Sequence, residues 1–205
     1  MHMFEKAHIT FCSRTHVGKV RRNNEDFLQI HQIHQNRLIA AIADGIGGDD
    51  FGEVASQIAV DASVEYLSNA DSDMLHQKPA QELGNAIKYA NEAIIAIQRN
   101  EEKYRNMGST LSCFWITDKQ LHFSWVGVSR IYLIRSSDNK ITLLTKDHTL
   151  DRDKNDATLA QALYRRAPNI LTQKVVSILL LKPDDGSVEL VPVSYPTQTP
   201  TMRLL

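Results

Sequence analysis

Two short stretches, Asn24-Glu25-Asp26 and Ala43-Asp44-Gly45-Ile46-Gly47-Gly48, decide how this sequence of 205 residues is understood. Each puts acidic side chains at the end of a strand-like segment, and the second continues directly into a glycine turn. Carboxylates crowded at neighbouring strand ends repel one another unless a cation lies between them. Glycine also lets the backbone bend, so that the Gly45 carbonyl can join the Asp44 carboxylate as an oxygen ligand. The two stretches predict the floor of a divalent-metal site.

Composition indicates a globular protein without a general affinity for polyanions. Hydrophobic residues make up 42%, charged residues 23%, and the formal net charge is -1, a balance that gives no drive toward nucleic acid or anionic membrane. No apolar run approaches the roughly 20 residues of a membrane-spanning helix, and residues 1–10 lack a signal-peptide hydrophobic region. The two cysteines, Cys12 and Cys113, lie in strand-like patterns and are expected to be reduced and buried. These features predict a cytoplasmic protein.

Apolar periodicity predicts strands, then two helices, then an antiparallel meander. Helices are predicted over residues 51–66, with Asp49 or Asp50 capping the start, and over residues 80–103. This order favours an α+β sandwich over alternating βαβ units. Alternating or continuous apolar segments predict strands at residues 9–13, 27–33, 37–43, 109–116, 121–126, 131–134 and 141–144.

The pattern weakens after His148. The sequence there predicts a charged loop over 151–156, a short helix over 157–166 and two strands over 175–181 and 188–193. The two strands are expected to pair across the Asp184-Asp185-Gly186 turn. We expect a single domain over residues 1–194 and an extended or disordered tail over residues 195–205.

Five segments of the chain, in order and with matching spacing, resemble the signatures of the metal-dependent protein phosphatases of type 2C, the PPM family, in their bacterial form. The resemblance covers roughly residues 9–150. The segments are Gly18-Lys19-Val20-Arg21-Arg22-Asn23-Asn24-Glu25-Asp26; Ala43-Asp44-Gly45-Ile46-Gly47-Gly48 with Gly52-Glu53-Val54-Ala55-Ser56; Met107-Gly108-Ser109-Thr110-Leu111; Val126-Gly127-Val128-Ser129-Arg130-Ile131-Tyr132-Leu133; and Leu144-Thr145-Lys146-Asp147-His148-Thr149.

The resemblance implies a four-layer α-β-β-α sandwich, in which two antiparallel sheets are flanked by helices, and a bridged pair of Mg²⁺ or Mn²⁺ ions. It assigns Asp44 to both metals, the Gly45 carbonyl to one, and Glu25 and Asp26 to metal-bound waters. Arg21 would hold the substrate phosphate, so Arg21 and Asp44 are the expected catalytic residues. Two cations lower the pKa of a shared water, and an arginine fork matches phosphate oxygens. The implied reaction is the hydrolysis of phosphoserine or phosphothreonine in proteins.

Three departures from the family pattern concern metal ligands. Val128 stands where the fourth signature carries an aspartate. No Ser-Asp-Gly motif follows Asp147, although the family carries one at the end of a later strand. Gln173-Lys174 precedes the closing strand where the family has an Asp-Asn pair, so that Lys174 brings positive charge to a metal position. These departures predict an internal deletion that leaves the C-terminal part of the fold incomplete.

The lost carboxylates predict at most one weakly bound Mg or Mn ion, because hard cations are held by few protein groups. The favoured hypothesis is a catalytically degenerate pseudophosphatase, a regulatory binding protein in Ser/Thr phospho-signalling. Its partner would be a protein, including one phosphorylated on Ser or Thr, and an exposed sheet edge would allow a homodimer. The alternative is an active Mg- or Mn-dependent phosphatase with substitute ligands such as Asp49, Asp50 or the acidic residues of 151–156.

Simpler interpretations stay open for several of these residues. Asp44 is also suited to capping a helix, and Arg21 to a solvated basic cluster. Arg130 and Asp147 are expected to form a structural ion pair. The tryptophans at positions 115 and 125 are expected in the core, and no pair of histidines has a metal-ligand spacing.

Overall fold

The computed structural model describes residue 9 and residues 11–34, 37–46, 51–117, 120–134 and 140–148, and the backbone of residues 176–179 and 189–192. Within these ranges, three α-helices and a single 3-10 turn lie among nine strands. In chain order the elements are β1 (Asp26–His34), β2 (Arg37–Ile46), α1 (Gly52–Asn69), α2 (Ser72–Gln77), α3 (Pro79–Asn100), the 3-10 turn (Glu102–Tyr104), β3 (Gly108–Ser109), β4 (Leu111–Ile116), β5 (Gln120–Val126), β6 (Arg130–Ile134), β7 (Ile141–Leu143), β8 (Val176–Leu179) and β9 (Glu189–Pro192).

The strands form two sheets. The larger has the order β1-β2-β4-β5-β9, with β3 also paired to β2, and the smaller has the order β7-β6-β8. Strand pairs are antiparallel except β5 with β9 and β6 with β8, which are parallel. The predicted α+β fold of mainly antiparallel sheets and helices is confirmed, and the two parallel pairs are additions to it.

Side-chain alternation along the central strands builds two cores on opposite faces of the larger sheet. Ile39, Ala41 and Ala43 of β2 face the helices, together with the apolar residues of α1 and α3. The intervening Leu38 and Ala40 face the other way and pack in a second core. Because successive residues of a strand point to opposite faces, a continuous apolar run such as 38–43 fits a strand that is covered on both sides.

The second core joins the two sheets. Phe114 of β4 and Phe123 of β5 pack there with Ile131, which belongs to β6 of the smaller sheet. The predicted core position of the two tryptophans is confirmed, since Trp115 and Trp125 are 2% and 8% exposed. They lie on opposite faces of the sheet, Trp115 under the helices and Trp125 between the sheets.

Gly45 brings the start of α1 against the end of β2. A Cβ atom at Gly45 would lie 1.9 Å from the carbonyl oxygen of Gly52, the first residue of α1. The glycine in the Asp44-Gly45 pair is therefore required by a backbone-to-backbone contact, which fixes the helix beside the acidic strand ends.

The first predicted strand and the predicted helix cap were wrong. Among residues 9 and 11–13 no strand forms, and Cys12 is exposed, because this segment pairs with no neighbouring strand that would bury it. Cys113 is buried as predicted. Helix α1 has Phe51 as its N-cap residue, with left-handed backbone angles (φ 60°) and no side-chain cap hydrogen bond, so the N-cap residue is neither Asp49 nor Asp50, which lie outside the described residues. The short helix α2 was not predicted.

The pairing predicted for the last two strands was also wrong. β8 runs parallel to β6, and β9 runs parallel to β5, so the two belong to different sheets. Open sheet edges, rather than the intervening turn, determine their partners. The helix predicted over 157–166 and the tail over 195–205 lie outside the described residues.

Arg130 and Asp147 form the predicted structural ion pair. Nε of Arg130 donates to Oδ1 of Asp147 at 2.9 Å, and Nη2 donates to Oδ2 at 2.7 Å. This bidentate pair connects β6 to the segment that follows β7, and both side chains are largely shielded from solvent.

None of the helices in the described ranges has the length and apolarity that crossing a membrane requires.

We predict that Gly45→Ala destabilises the fold by more than about 3 kcal/mol, because the new methyl group would overlap backbone atoms that cannot rotate away. Gly18→Ala is the matched control, since Gly18 has a positive φ of 80° but nothing within 4 Å of its would-be Cβ. Its loss should be about 1–2 kcal/mol, from backbone strain alone. Urea unfolding measures both. Equal losses would contradict the contact between Gly45 and Gly52.

Candidate metal centre

Antiparallel pairing places the two acidic stretches side by side. Asp26, the first residue of β1, is the register partner of Asp44 near the end of β2. The amide of Gly45 donates to the carbonyl of Glu25 at 2.9 Å, which extends the pairing by one residue. Glu25, Asp26 and Asp44 therefore meet at one end of the larger sheet, where the sequence predicted a metal-site floor.

All three carboxyl groups have raised pKa values, chiefly because they are partly buried. Burial, followed by the charges of Asp26 and Glu25, raises the pKa of Asp44 to about 7. Burial raises the pKa of Asp26, whose side chain also hydrogen-bonds that of Asp44. The pKa of Glu25 is raised by burial and by nearby Glu53, while Arg21 opposes the rise. A cation among these groups would relieve the repulsion and favour their charged forms.

Arg21 lies at the rim of this acidic cluster. Its Nη1 is 3.7 Å from Oε2 of Glu25, with the arginine side chain 41% exposed and the glutamate 12% exposed. The distance exceeds that of a hydrogen bond. Arg21 therefore keeps its hydrogen-bond donors within reach of an anion that arrives from solvent, which suits the phosphate-binding role that the resemblance assigns to it.

The backbone of Asp44 is held by the segment that contains β3. Thr110 makes two hydrogen bonds with the backbone of Asp44. Its amide donates to the carbonyl of Asp44 at 2.9 Å, and its Oγ1 accepts from the amide of Asp44 at 3.0 Å. Oγ of Ser109 also donates to the carbonyl of Asp44 at 3.1 Å. The same hydroxyl also lies 2.8 Å from the carbonyl of Thr110, so its one proton is shared between two acceptors. The two bonds of Thr110 therefore do most to fix the backbone of the central aspartate.

The hydroxyl of Thr110 continues to the fourth segment. It lies 2.7 Å from Oγ of Ser129, and both residues are buried. The fifth segment in turn holds the fourth, because His148 Nδ1 accepts from the amide of Gly127, and Lys146 accepts at its carbonyl from Nε1 of Trp125. Sequence reasoning overlooked Thr110 and Ser129 as supports of Asp44, although both lie inside quoted signature segments.

The departures from the family pattern are only partly visible in the described residues. Val128 lies in the loop between β5 and β6, one residue before Ser129, and is half-buried; the expectation that an aspartate belongs there rests on the resemblance alone. Lys174, Asp49 and Asp50 lie outside the described residues. Neither the positive charge expected at Lys174 nor the substitute ligands proposed at Asp49 and Asp50 can be placed in the site.

The donor set fits one cation. Asp26 and Asp44 offer two touching carboxylates with raised pKa values, and Glu25 adds a third acidic group nearby. Two hard oxygen donors with water completing the shell suit Mg²⁺ or Mn²⁺. Across the part of the chain that the structure describes, no set of three or more His, Cys, Asp or Glu side chains converges to hold a metal.

Comparison with known proteins identifies the family. The family profile described as protein phosphatase 2C matches residues 14–181, which is most of the chain. The chain belongs to the protein phosphatase 2C family. The five segments that resembled its signatures in the sequence all lie within the matched region, and the bacterial Ser/Thr phosphatases among its relatives confirm the resemblance.

Named relatives are bacterial phosphatases. Protein phosphatase PhpP of Streptococcus pneumoniae is 31% identical over 185 residues, which cover 88% of this chain and 73% of that protein. The serine/threonine phosphatase stp of Listeria welshimeri is 30% identical over 199 residues, covering 94% of this chain and 74% of that protein. A 34% identity to PstP of Mycobacterium tuberculosis extends over 69% of this chain and 25% of that protein.

Solved structures confirm the fold. A bacterial serine phosphatase superposes with a TM-score of 0.59 at 31% identity, over 66% of this chain and 54% of that one. The catalytic domain of PstP, solved in complex with two manganese ions, gives a TM-score of 0.53 at 35% identity, over 67% of this chain and 55% of that one. The chain thus spans about half the length of these solved relatives.

We predict that Thr110→Val and Ser129→Ala each destabilise the protein by about 1–3 kcal/mol, because each leaves buried polar groups without a partner. Together they should cost less than the sum of the single losses, since both remove the same hydroxyl pair. Urea unfolding of the two variants and their combination measures the coupling. Ser68→Ala, on the exposed surface of α1, should change stability by less than about 0.5 kcal/mol. Strict additivity would contradict the direct bond.

We predict that Asp44→Asn raises the melting temperature of the chelator-treated protein by about 3 °C or more at a pH well above 7. The folded pKa of Asp44, about 7, exceeds the ordinary value of 3.8. Its charge therefore destabilises the fold above both values, and this penalty shrinks as pH falls through 7. The gain should likewise shrink at lower pH. Exposed Asp61→Asn on α1 is the control. A lower melting temperature for Asp44→Asn would contradict the repulsion.

Proposed function

We propose that this family member binds one Mg²⁺ or Mn²⁺ ion and a phosphorylated serine or threonine of a protein partner, with phosphatase turnover lost or slow. It would act as a regulatory binding protein in Ser/Thr phospho-signalling. The supporting observation is the asymmetry of the site. Carboxylates converge from β1 and β2, whereas position 128, where the resemblance leads us to expect an acid, is a valine.

The cation would be held by Asp44 and Asp26, with the Gly45 carbonyl and Glu25 contributing directly or through water. Their raised pKa values support this assignment, because a cation nearby would favour the charged forms of both groups. When bound, such an ion polarises phosphoryl oxygens and acidifies water. The bonds from Thr110 and Ser109 hold the Asp44 backbone in place, so the position of this residue beside Asp26 is fixed before any ligand arrives.

Arg21 would bind the phosphate. Its partly exposed guanidinium lies beside the carboxylates but is 3.7 Å from the nearest one. A phosphate dianion offers it bidentate hydrogen bonds that Glu25 does not make. The dianion would be repelled by Glu25, Asp26 and Asp44 without a cation, so phosphate and cation should bind cooperatively.

Slow turnover follows from the number of metal ligands. In-line displacement at phosphorus benefits from two ions that stabilise the attacking and leaving oxygens. The donors of β1 and β2 suffice for one. Binding of a phosphorylated partner needs only that ion and Arg21, so recognition can persist where catalysis does not. The cytoplasmic location and the homodimer predicted from the sequence stay predictions.

A second candidate is an active Mn²⁺- or Mg²⁺-dependent phosphatase. It is favoured by the relatives, because PhpP and stp are named phosphatases and match 88% and 94% of this chain. Substitute ligands at Asp49, Asp50 or residues 151–156 would complete its metal site.

The decisive experiment measures hydrolysis of p-nitrophenyl phosphate and of a phosphothreonine peptide with excess Mn²⁺. We expect rates near background for the unaltered protein, and calorimetry should show about one Mn²⁺ bound per chain, lost in Asp44→Asn and kept in the control Asp61→Asn. Hydrolysis that requires Mn²⁺ and disappears only in Asp44→Asn would establish the active phosphatase instead. Absence of both turnover and Mn²⁺ binding would reject both candidates.

A further inference from the structure

A closed loop of residues 15–24 projects from the protein next to the candidate site. Its two ends are joined by a hydrogen bond in which Nδ2 of Asn24 donates to Oγ1 of Thr15 at 2.8 Å. Inside the loop, the amide of Gly18 donates to Nδ1 of His16 at 2.8 Å, and Gly18 has a positive φ of 80°. The loop is therefore a defined turn with a preferred shape, and it leads directly into the acidic strand β1.

The tip of this loop presents an unusual combination of side chains. Val20 is 93% exposed, more than any other large hydrophobic residue among those described. It lies between Lys19 and Arg22, both exposed. Within the described residues, the ion pairs include neither of these two cations. This exposed apolar side chain and the two neighbouring cations together form a surface suited to contact with a partner molecule.

The position of the tip relates it to the phosphate-binding residue. Arg21 belongs to the same turn, between Val20 and Arg22, and its guanidinium reaches back to Glu25 at the site. A peptide whose phosphate contacts Arg21 would therefore pass along Lys19, Val20 and Arg22. Glu25, Asp26 and Asp44 lie on the strand-end side of Arg21 and repel acidic side chains.

We propose that Lys19, Val20 and Arg22 form a recognition surface, the basic tip, for the residues that flank the phosphorylated serine or threonine. The partner that fits carries acidic side chains and one apolar side chain next to the phosphorylated residue. Burial of Val20 against that apolar side chain removes exposed hydrocarbon from water, and the two cations meet the acidic groups in a polar rim. This inference rests on the proposed function, because it assumes that phosphate binds at Arg21.

The charged contacts and the apolar contact of the basic tip should respond differently to salt. Pairing at exposed Lys19 and Arg22 is screened by salt and contributes chiefly to selection and association rate. The contact at Val20 is apolar and should be insensitive to salt. Recognition by the basic tip therefore predicts a selectivity for acidic flanks that falls as salt increases, together with a preference for an apolar flank that does not.

The experiment measures binding of fluorescently labelled phosphothreonine peptides by the full chain in excess Mn²⁺, and each peptide is checked for intact phosphate after the measurement. One peptide carries glutamates and a leucine beside the phosphothreonine, a second carries glycines and serines there, and a third is the first without phosphate. Binding is compared among the unaltered protein, Lys19→Ala/Arg22→Ala, Val20→Ser and the control Lys78→Ala, which alters an exposed lysine between α2 and α3.

We expect the acidic, leucine-containing phosphopeptide to bind about tenfold more tightly than the neutral one at low salt. Lys19→Ala/Arg22→Ala should remove most of this difference, Val20→Ser should weaken only the leucine-containing peptide, and Lys78→Ala should change nothing. Equal affinity of the unaltered protein for both phosphopeptides, or variants that bind like the unaltered protein, would overturn the basic tip and leave phosphate binding at Arg21 intact. Failure to bind any phosphopeptide better than the unphosphorylated one would overturn the proposed function and this inference with it.

Discussion

The contact between Asp26 and Asp44 across β1 and β2 is the constraint on which the site depends. The antiparallel register fixes it, and the bond from Gly45 to Glu25 prevents the strands from separating at this point. The pairing holds the two residues side by side, and Arg21 only partly offsets the negative charge of their carboxylates. Burial and this charge together raise the pKa of Asp44 to about 7, so a proton or a cation there is favourable. The fold thus maintains an unfavourable charge arrangement that a ligand can stabilise.

Support for this arrangement comes from parts of the chain that carry no charge. Thr110 clasps the backbone of Asp44, and Ser129 contacts the hydroxyl of Thr110. Arg130, next in the chain, is held by the bidentate pair with Asp147. These bonds do not involve the side chain at position 128, so they are made equally well with a valine there. The residues that support the fold at this point and those proposed to bind metal are different sets of atoms.

Local sequence patterns predicted most of the strands and helices correctly. They failed where contacts between residues far apart in the chain determine the structure. Strand β2 follows from its continuous apolar run, and the meeting of Asp26 with Asp44 follows from two adjacent antiparallel strands. Cys12 was misplaced because an alternating segment becomes a strand only when a partner strand accepts it. The cap of α1 was missed because the close approach of Gly45 to the helix, and not a polar side chain, fixes its start. Hydroxyl contacts between residues far apart in sequence leave no periodic signal.

Arg21 links the two electrostatic halves of the site, the acidic strand ends and the basic tip. An ion pair at 3.7 Å between partly exposed groups contributes little stability, so breaking the pair between Arg21 and Glu25 requires little free energy. A phosphate dianion accepts two short, charge-assisted bonds from the same guanidinium and is the stronger partner. In the proposed complex, pairing of Arg21 with phosphate would leave the negative charge of Glu25 uncompensated beside Asp26 and Asp44 and so strengthen their attraction for a cation. Phosphate and cation binding would thereby be coupled through one side chain.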